Sequence, residues 1–405
     1  MPGEWAAMAQ QPFVLVCLLA FAVATVVCGL LGLAGRHSGL GRDRSEGVQK
    51  FHSGETSRLG GLAILLGLAA GLAAAHLAAP PSTNHAAGAL AEAAAIKVFT
   101  GALGVLLLAC LPAFAGGLLE DLTHRVGIAA RMLLSLASAS VLYFMLDIRV
   151  AHTDVAPVDW LLTLPAAGYL LTLLVVAGFT HSVNIVDGFH GLASGLVLLM
   201  LCGLLAQAWL VGDALVAQLC LLSLAATLGF FVWNWPFGKI FLGDCGAYLL
   251  GIWVVGLGLW LGIRNPSMSP MAPVLVGILP LVETLFSMYR RHFVRSHPVN
   301  MPDALHLHSL VYRRLLFNPA RDLAPAQKNA ANAAVAPYFW LQALLFGALS
   351  CVFMRSTLAL MFLMLAFALQ YIWLYQRLVR FRAPLWMVRR RTANPPPMRS
   401  RRNES

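Results

Sequence analysis

Residues 184–195 read NIVDGFHGLASG and place an amide, a carboxylate and an imidazole between two long apolar runs. Ionisable groups at membrane depth are energetically expensive, so their presence here indicates a functional site. Asn184 and Asp187 are three residues apart, which on a helical turn puts both side chains on one face. Three glycines leave room for close approach by a backbone or a ligand. The same sequence is also typical of a glycine-rich turn that only joins two membrane helices. The stretch alone does not distinguish this turn from a functional site.

Apolar runs like the two that flank this stretch recur along the whole chain. Hydrophobic residues make up 59% of the 405 residues and charged residues 11%, whereas a soluble domain carries about 25% charged residues. Runs of roughly 17–25 apolar residues span a bilayer as helices, which satisfy their own backbone hydrogen bonds. The composition predicts an all-α integral membrane protein, a polytopic bundle of about 11 transmembrane helices with active-site loops at one face. The predicted spans are 12–34, 59–78, 98–117, 128–146, 158–177, 191–210, 213–233, 246–262, 270–289, 337–354 and 356–376.

The distribution of positive charge predicts the orientation of this bundle. The net charge is +11, and the arginines and lysines cluster in the odd-numbered loops and the C-terminal tail. The positive-inside rule then places those loops and the C-terminus in the cytoplasm, with the N-terminus on the other side. A basic tail beside a membrane is expected to meet anionic lipid head groups, so membrane lipids rather than nucleic acid are the predicted partner.

One membrane domain is predicted over residues 1–380, followed by a basic, disordered tail over 381–405. The long polar insertion at about 290–336 exceeds a simple connector and is therefore a candidate functional loop. Acidic residues and histidines also cluster in the odd loops, on the predicted cytoplasmic face. Ion or proton translocation would instead favour carboxylates spread through mid-helix positions. One-sided clustering indicates chemistry on a cytoplasmic substrate at the membrane surface.

Two carboxylate motifs suggest a metal site. Glu120 and Asp121 are adjacent at the end of the third predicted helix and offer hard oxygen ligands for Mg²⁺. In NWPFGKIFLGDCG, residues 234–246, the aromatic Phe241 precedes Asp244 by three residues. A flat ring beside such a carboxylate suits a base stacked above its own diphosphate–Mg²⁺ complex, and magnesium needs only one or two protein carboxylates beside substrate phosphates. Ordinary interfacial charge and a simple turn before a helix are the alternatives.

Basic and imidazole groups supply candidate anion ligands. His306 and His308 lie two residues apart in PDALHLH, residues 302–308, within the long basic loop. Zinc would need further Cys or His ligands nearby, so these histidines favour diphosphate or sugar binding, with a merely solvated loop as the alternative. Lys50 and Arg58 lie near the start of the second predicted helix, and helix N-termini attract anions.

Five segments, in order, resemble the polyprenyl-phosphate N-acetylhexosamine-1-phosphate transferase family, also called glycosyltransferase family 4. The segments are KFHSGETSRLGG, GGLLED, NIVDGFHGLASG, NWPFGKIFLGDCG and PDALHLH. The resemblance implies that undecaprenyl phosphate attacks the β-phosphorus of a UDP-N-acetylsugar, releasing UMP and starting a lipid-linked surface polysaccharide such as O-antigen. It also implies Mg²⁺, with Mn²⁺ as a substitute, and a multi-pass protein of the bacterial inner membrane with a cytoplasmic active site. A homodimer is left open.

Roles follow from the resemblance, residue by residue. Asp121 and Asp244 would hold Mg²⁺, and Glu120 would deprotonate or orient the lipid phosphate. Asp187 completes the predicted catalytic set. The predicted substrate-binding residues are Lys50, Arg58, Asn184, His190, Phe241, His306 and His308. The protein's work would be positioning and charge neutralisation during phosphoryl transfer.

Two positions depart from the family pattern, which has aspartates where this chain has Glu120 and His190. Asp121, Asp187 and Asp244 are retained, so an active enzyme is expected. A catalytically impaired assembly scaffold and a polytopic transporter are the alternatives; a transporter would show inverted repeats and broken helices, and neither is evident in the sequence. Because PDALHLH lacks the adjacent histidines of the muramoyl-pentapeptide branch, UDP-GlcNAc or a related N-acetylated deoxyhexose is the expected sugar donor.

Overall fold

The computed structural model describes residues 11–38, 41–43, 56–78, 87–294, 305–316, 324–381 and 387. Lys50, the first part of PDALHLH and most of the predicted tail lie outside these residues. Two short strands, β1 (Arg42–Asp43) and β2 (Thr56–Ser57), pair antiparallel. The helices are α1 (Gln11–Ser38), α2 (Gly60–Leu77), α3 (Ala87–Thr123), α4 (Ile128–Leu146), α5 (Ala156–Leu162), α6 (Pro165–Val186), α7 (Leu192–Val211), α8 (Ala214–Asn234), α9 (Gly243–Arg264), α10 (Met271–Val276), α11 (Ile278–Tyr289), α12 (Leu307–Val311), α13 (Pro325–Ala333), α14 (Ala336–Val352) and α15 (Thr357–Val379), with π-helical turns at Arg290–Val294 and Tyr312–Leu316.

Ten helical segments of the described residues are long and apolar enough to cross a membrane. The predicted polytopic, all-α membrane protein is thereby confirmed. The predicted span 270–289 is instead two short helices, α10 and α11, that meet at Gly277. Pro280 explains the break, because proline lacks the N–H that would bond to the Val276 carbonyl and its ring clashes with that carbonyl. The break at Gly277 was not evident in the sequence.

Two helix ends differ from the predicted spans, and both differences concern the candidate site. Helix α3 continues to Thr123, so Glu120 and Asp121 lie in its last turn rather than in a loop. Helix α6 begins at Pro165, a residue suited to a first helical turn, and ends at Val186. As a result Asn184 is helical and Asp187 is the residue at the helix end.

Helix α9 is the central element of the bundle. In the most apolar 18-residue segment of α9, 78% of the residues are buried, whereas in that of α1 the share is 22%. It packs against α2, α3 and α6, and its first turn lies next to the carboxylates of α3 and the amide of α6. The candidate site is therefore built around the N-terminus of the most buried helix.

Glycines allow the backbones of α2 and α3 to contact the backbone of α9 directly. A Cβ atom on Gly61 would lie 2.2 Å from the backbone nitrogen of Gly246, and one on Gly117 would lie 2.5 Å from that of Cys245. The backbone N–H of Gly61 also donates to the Leu242 carbonyl, at 2.9 Å. Because backbone atoms line these contacts, a side chain cannot be accommodated by a rotamer change.

Substituting Gly61→Ala is therefore expected to lower the melting temperature clearly, since overpacking costs about 1–3 kcal/mol and often more against rigid backbone. The matched control is Gly101→Ala in α3, where a Cβ would meet nothing within 4 Å. That control should be neutral or stabilising, by up to ~1 kcal/mol, because alanine is the better helix former. Thermal unfolding in detergent checks both, and equal melting temperatures would contradict the close α2–α9 contact.

Candidate active site

Separate parts of the chain meet at the N-terminus of α9: the segment before α2, the last turn of α3, the starts of α4 and α12, and the end of α6. Beside them lies a cavity of about 1380 Å³. The polar and aromatic residues that line this end of the cavity include Arg58, Arg131, His181, Asn184, Asp187, His190, Phe241, His306 and His308. Most of the predicted substrate-binding residues thus share one cavity, although they are spread over 250 positions of sequence.

Asp244 is the centre of the hydrogen-bond network at this end. It is the second residue of α9, and only 6% of it is exposed. Its Oδ1 accepts hydrogen bonds from Nη2 of Arg58 and Nδ2 of Asn184, both at 3.0 Å. Its Oδ2 accepts one from Nη1 of Arg131. One carboxylate therefore joins α4, α6 and the segment before α2.

Asp121 holds the start of α9 from across the bundle. It is completely buried, and its Oδ1 and Oδ2 accept the backbone N–H groups of Asp244 and Cys245 at 3.0 and 2.9 Å. Such N–H groups have no partner within their own helix. Arg58 compensates the charge, with Nε 3.3 Å from Oδ1 of Asp121. Gly243 has a φ of +75°, and a Cβ there would lie 2.6 Å from Oδ2 of Asp121, so glycine is required at this junction.

Glu120 points to a different environment from its neighbour. Its Oε2 accepts the backbone N–H of Val126 at 2.8 Å and so fixes the turn between α3 and α4. It is not among the residues that line the cavity. Its predicted action on a lipid phosphate therefore stays a prediction, and the contact observed is a structural one.

His190 and Phe241 form an aromatic pair on the cavity wall. Their ring centroids are 5.5 Å apart with a tilt of 34°. The backbone N–H of His190 donates to Oδ1 of Asn332 at 2.8 Å, which holds the turn after α6 against α13. Gly238 has a φ of +58°, and a Cβ on it would overlap the imidazole at 2.3 Å. The two rings predicted to contact the nucleotide thus lie side by side.

Glycines 191 and 195 accommodate tryptophans rather than a ligand. A Cβ on Gly191 would lie 2.7 Å from the Trp235 side chain, and one on Gly195 would lie 2.2 Å from Nε1 of Trp340. Asn234 strengthens the junction, because its Oδ1 accepts the backbone N–H of Gly191 at 2.7 Å. The stretch 184–195 therefore divides in two: Asn184 to His190 lies at the cavity, and the glycines that follow serve packing.

Glu283 orients the two histidines of PDALHLH. Its Oε1 lies 3.0 Å from Nδ1 of His306 and accepts the backbone N–H of Leu307 at 2.9 Å. The rings of His306 and His308 stack with centroids 5.1 Å apart. Burial, with the neighbouring His306, lowers the pKa of His308 to about 4 despite the nearby Glu283 carboxylate, so His308 is a neutral imidazole at neutral pH. It can offer hydrogen bonds but no positive charge.

Three residues of this end were missed by the sequence reasoning. Glu283 had a usable signal, because it is a lone carboxylate inside a predicted span. His181 had a weaker signal, as an ionisable residue between two predicted spans and one turn before Asn184 in α6. Arg131 gave none, since a basic residue at the start of the predicted span 128–146 matches the general positive-inside pattern.

Magnesium binding depends on a small donor set. In the described part of the chain, no group of three or more His, Cys, Asp or Glu residues is arranged to hold a metal ion. A magnesium ion completed by substrate phosphates needs only one or two carboxylates. Asp187 lines the cavity, whereas Asp244 is 6% exposed and Asp121 is fully buried, and the oxygens of both already accept hydrogen bonds. Carboxylate oxygens are the donors that Mg²⁺ prefers, and Asp244 is the less deeply buried of the two predicted ligands.

Comparison with known proteins places this site in context. The family model described as "Glycosyl transferase family 4" matches residues 103–262. A "Probable undecaprenyl-phosphate N-acetylglucosaminyl 1-phosphate transferase" of Bacillus subtilis is 29% identical over 262 residues, covering 64% of this chain and 66% of that protein. An "Undecaprenyl-phosphate alpha-N-acetylglucosaminyl 1-phosphate transferase" of Escherichia coli K12 is 32% identical over 162 residues, covering 38% of this chain and 43% of the relative. A "Phospho-N-acetylmuramoyl-pentapeptide-transferase" of Saccharopolyspora erythraea is 26% identical over 306 residues, covering 64% and 79%. The chain thus spans slightly less than two thirds of the Bacillus relative and under half of the Escherichia one.

Proposed function

We propose that this chain, which matches the glycosyl transferase family 4 model over residues 103–262, transfers an N-acetylhexosamine 1-phosphate from a UDP-sugar to undecaprenyl phosphate. The products are UMP and a lipid-linked sugar diphosphate that starts a surface polysaccharide such as O-antigen. The observation that carries this proposal is the shape and chemistry of the cavity. It has a polar end for two phosphorylated substrates and an apolar wall for an isoprenoid chain.

The apolar wall runs along α6, α9 and α11. From Leu171 to Asn184 it follows α6 for roughly 20 Å at 1.5 Å rise per residue. Leu174 is 67% exposed and Leu285 is 56% exposed, so the wall is open at its side. The apolar residues that line it include Leu174, Val175, Phe179, Val254, Val255, Leu259, Val274, Leu281 and Leu285. A long hydrocarbon chain can therefore lie in the cavity while its phosphate reaches Arg58 and Arg131.

The polar end suits the nucleotide sugar. His190 and Phe241 offer ring faces to uracil, and Asn184 and Asp187 lie beside them with hydrogen-bonding groups. His306 and His308, held by Glu283, would contact the diphosphate or the sugar. Preorganised donors in an enclosed site stabilise charge that develops during phosphoryl transfer.

The reaction forms one bond and breaks another. An oxygen of the lipid phosphate attacks the β-phosphorus, and the bond from that phosphorus to the oxygen bridging to the α-phosphorus breaks. Arg58 and Arg131, which are both paired with Asp244, line the site that must hold three phosphate groups, and their guanidinium groups would lower the repulsion between the substrates. Mg²⁺, or Mn²⁺ in its place, would be held by Asp244 with Asp121 or Asp187 and would neutralise the diphosphate.

We also propose that the site end faces the cytoplasm of a bacterial inner membrane, where UDP-sugars are made. Among the described basic residues, Arg58 before α2 and Arg290 and Arg291 after α11 lie at this same end, in agreement with the positive-inside rule. A green fluorescent protein fused to the C-terminus should then fluoresce in cells. A C-terminal alkaline phosphatase that is active instead would contradict this orientation.

The transfer is tested with purified protein in lipid nanodiscs containing undecaprenyl phosphate, a panel of UDP-N-acetylsugars and Mg²⁺. We expect UMP release with UDP-GlcNAc or an N-acetylated deoxyhexose donor, and loss of at least ~90% of it with excess EDTA, because the diphosphate charge is then left unneutralised. Adding Mg²⁺ back should restore the rate. No UMP with any sugar would favour the assembly-scaffold alternative.

A further inference from the structure

We propose that His181 is a further catalytic residue, the general base that takes the proton from the attacking lipid phosphate. This inference rests on the proposed transfer reaction and adds a residue that the five family segments leave unassigned. His181 is in α6, one turn before Asn184, and it lines the cavity. It lies where the polar end meets the apolar wall, which begins one to two turns earlier in α6, at Gly178 and Val175.

The hydrogen bonds around His181 fix which ring nitrogen carries its proton. The hydroxyl of Ser135 donates to the Arg131 carbonyl at 3.0 Å, so this oxygen is left to accept from a neighbour. Nε2 of His181 lies 3.3 Å from the same oxygen. A neutral imidazole has one N–H and one lone pair, so a proton on Nε2 leaves the lone pair on Nδ1.

Nδ1 of His181 is available for a substrate. Among the described residues, the hydrogen bond to Ser135 is the contact that the ring nitrogens make. The ring makes an edge-to-face contact with Tyr248, with centroids 5.0 Å apart, and this contact holds the imidazole in place on the cavity wall. A fixed ring with a free lone pair beside an anion-binding end has the geometry of a general base.

The lipid phosphate is the substrate group expected at this position. An isoprenoid chain lying along the apolar wall brings its phosphate to the junction where His181 and Arg131 line the cavity. A phosphate monoester has a second pKa of about 6, so part of it still carries a proton near neutral pH. Glu120, the predicted base, instead holds the backbone N–H of Val126 outside the cavity lining.

The proton balance of the step is simple. Nδ1 of His181 accepts the proton of the P–OH group, and the resulting phosphate oxygen forms the new bond to the β-phosphorus. The electron pair of the breaking bond stays on the oxygen that leaves with UMP. That phosphate then takes the proton back from Nδ1, which restores the neutral imidazole.

The test compares His181→Gln with the unmodified protein in the nanodisc assay. The glutamine amide can still donate to Ser135, but it is not basic. We expect kcat to fall about 10²–10³-fold, within the range for general bases, with KM for the UDP-sugar changed less than about threefold. Tyr169→Phe is the matched control, because it removes another hydrogen bond between α4 and α6, that of Ser140 to Tyr169 at 2.8 Å, away from the cavity lining. It should leave kcat unchanged.

Chemical rescue separates a base from a merely structural side chain. Added imidazole should raise the kcat of His181→Ala at least tenfold, whereas a variant that is impaired only by a packing defect would not respond to imidazole. His181→Asn replaces His181→Gln if the glutamine variant does not fold, as judged by its melting temperature. A folded variant that keeps more than a third of the kcat, or an alanine variant that imidazole does not rescue, overturns the role of His181 while leaving the transferase in place. Absence of UMP from the unmodified protein would instead refute the transferase itself.

Discussion

Substituting Asp244→Asn is expected to lower UMP release by roughly 10³-fold, the largest loss for any single change in this protein. Asp244 accepts hydrogen bonds from Arg58, Arg131 and Asn184. It is also the less deeply buried of the two predicted Mg²⁺ ligands. An asparagine has nearly the same shape, but it leaves two guanidinium groups without their carboxylate. Removing one partner from a buried charge pair costs about 3–5 kcal/mol. The loss should appear in the UMP assay with each UDP-sugar that the unmodified protein accepts.

Asp213→Asn is the matched control for this variant. Asp213 is also a buried carboxylate paired with an arginine, since its Oδ2 lies 2.7 Å from Nε of Arg264. It lies between α7 and α8, at the end of the bundle opposite the carboxylate network. Its loss should reduce stability but change UMP release per folded molecule by less than about threefold, because its contacts are remote and distant sites act independently. Equal losses of activity in the two variants would show that Asp244 acts only through the fold.

The second large effect concerns stability. Asp121→Asn is expected to lower the free energy of unfolding by about 3–5 kcal/mol, because it removes a buried charge that Arg58 compensates. It also turns an amide N–H donor toward one of the two backbone N–H groups that Asp121 now satisfies. Thermal unfolding in detergent without added metal measures the effect.

Glu120→Gln supplies the comparison on the neighbouring residue. Its carboxylate accepts a single backbone N–H in a partly exposed turn, so the cost should be about 0.5–1.5 kcal/mol. A role for Asp121 confined to metal binding predicts the opposite pattern: unchanged stability without Mg²⁺ and a difference only when Mg²⁺ is added. That outcome would contradict the capping role that the hydrogen bonds indicate.

Much of the architecture could be predicted from sequence because lipid imposes few solutions. Long apolar runs must form helices, so the composition leads directly to a polytopic bundle. The helix ends were less predictable, since α6 gains its last turns from a sequence that also suits a turn. The break at Gly277 depends on Pro280 and was hidden by the even hydrophobicity of 270–289.

The sequence indicated several residues of the candidate site, but it did not indicate the contacts between them. The clustering of polar residues on one side predicted that Asn184 and Asp244 lie close together, and the structure joins both to one network with Arg58. The different contacts of Asp121 and Glu120 could not be predicted from two adjacent acidic residues, because they depend on which side chain faces α9. Glu283 acts on histidines more than twenty positions away, and no local pattern announces such a contact.

The central claim is that the β-phosphorus of a UDP-sugar moves to a lipid phosphate. Its most direct test uses UDP-GlcNAc, or the donor found active in the sugar panel, labelled with ³²P at the β-phosphorus, with undecaprenyl phosphate nanodiscs and Mg²⁺. The account predicts that the label passes into the organic phase in equal amount to the UMP released, and that Asp244→Asn abolishes the transfer. Label that remains in water-soluble UDP while the sugar alone moves, or a donor that stays intact, would contradict it.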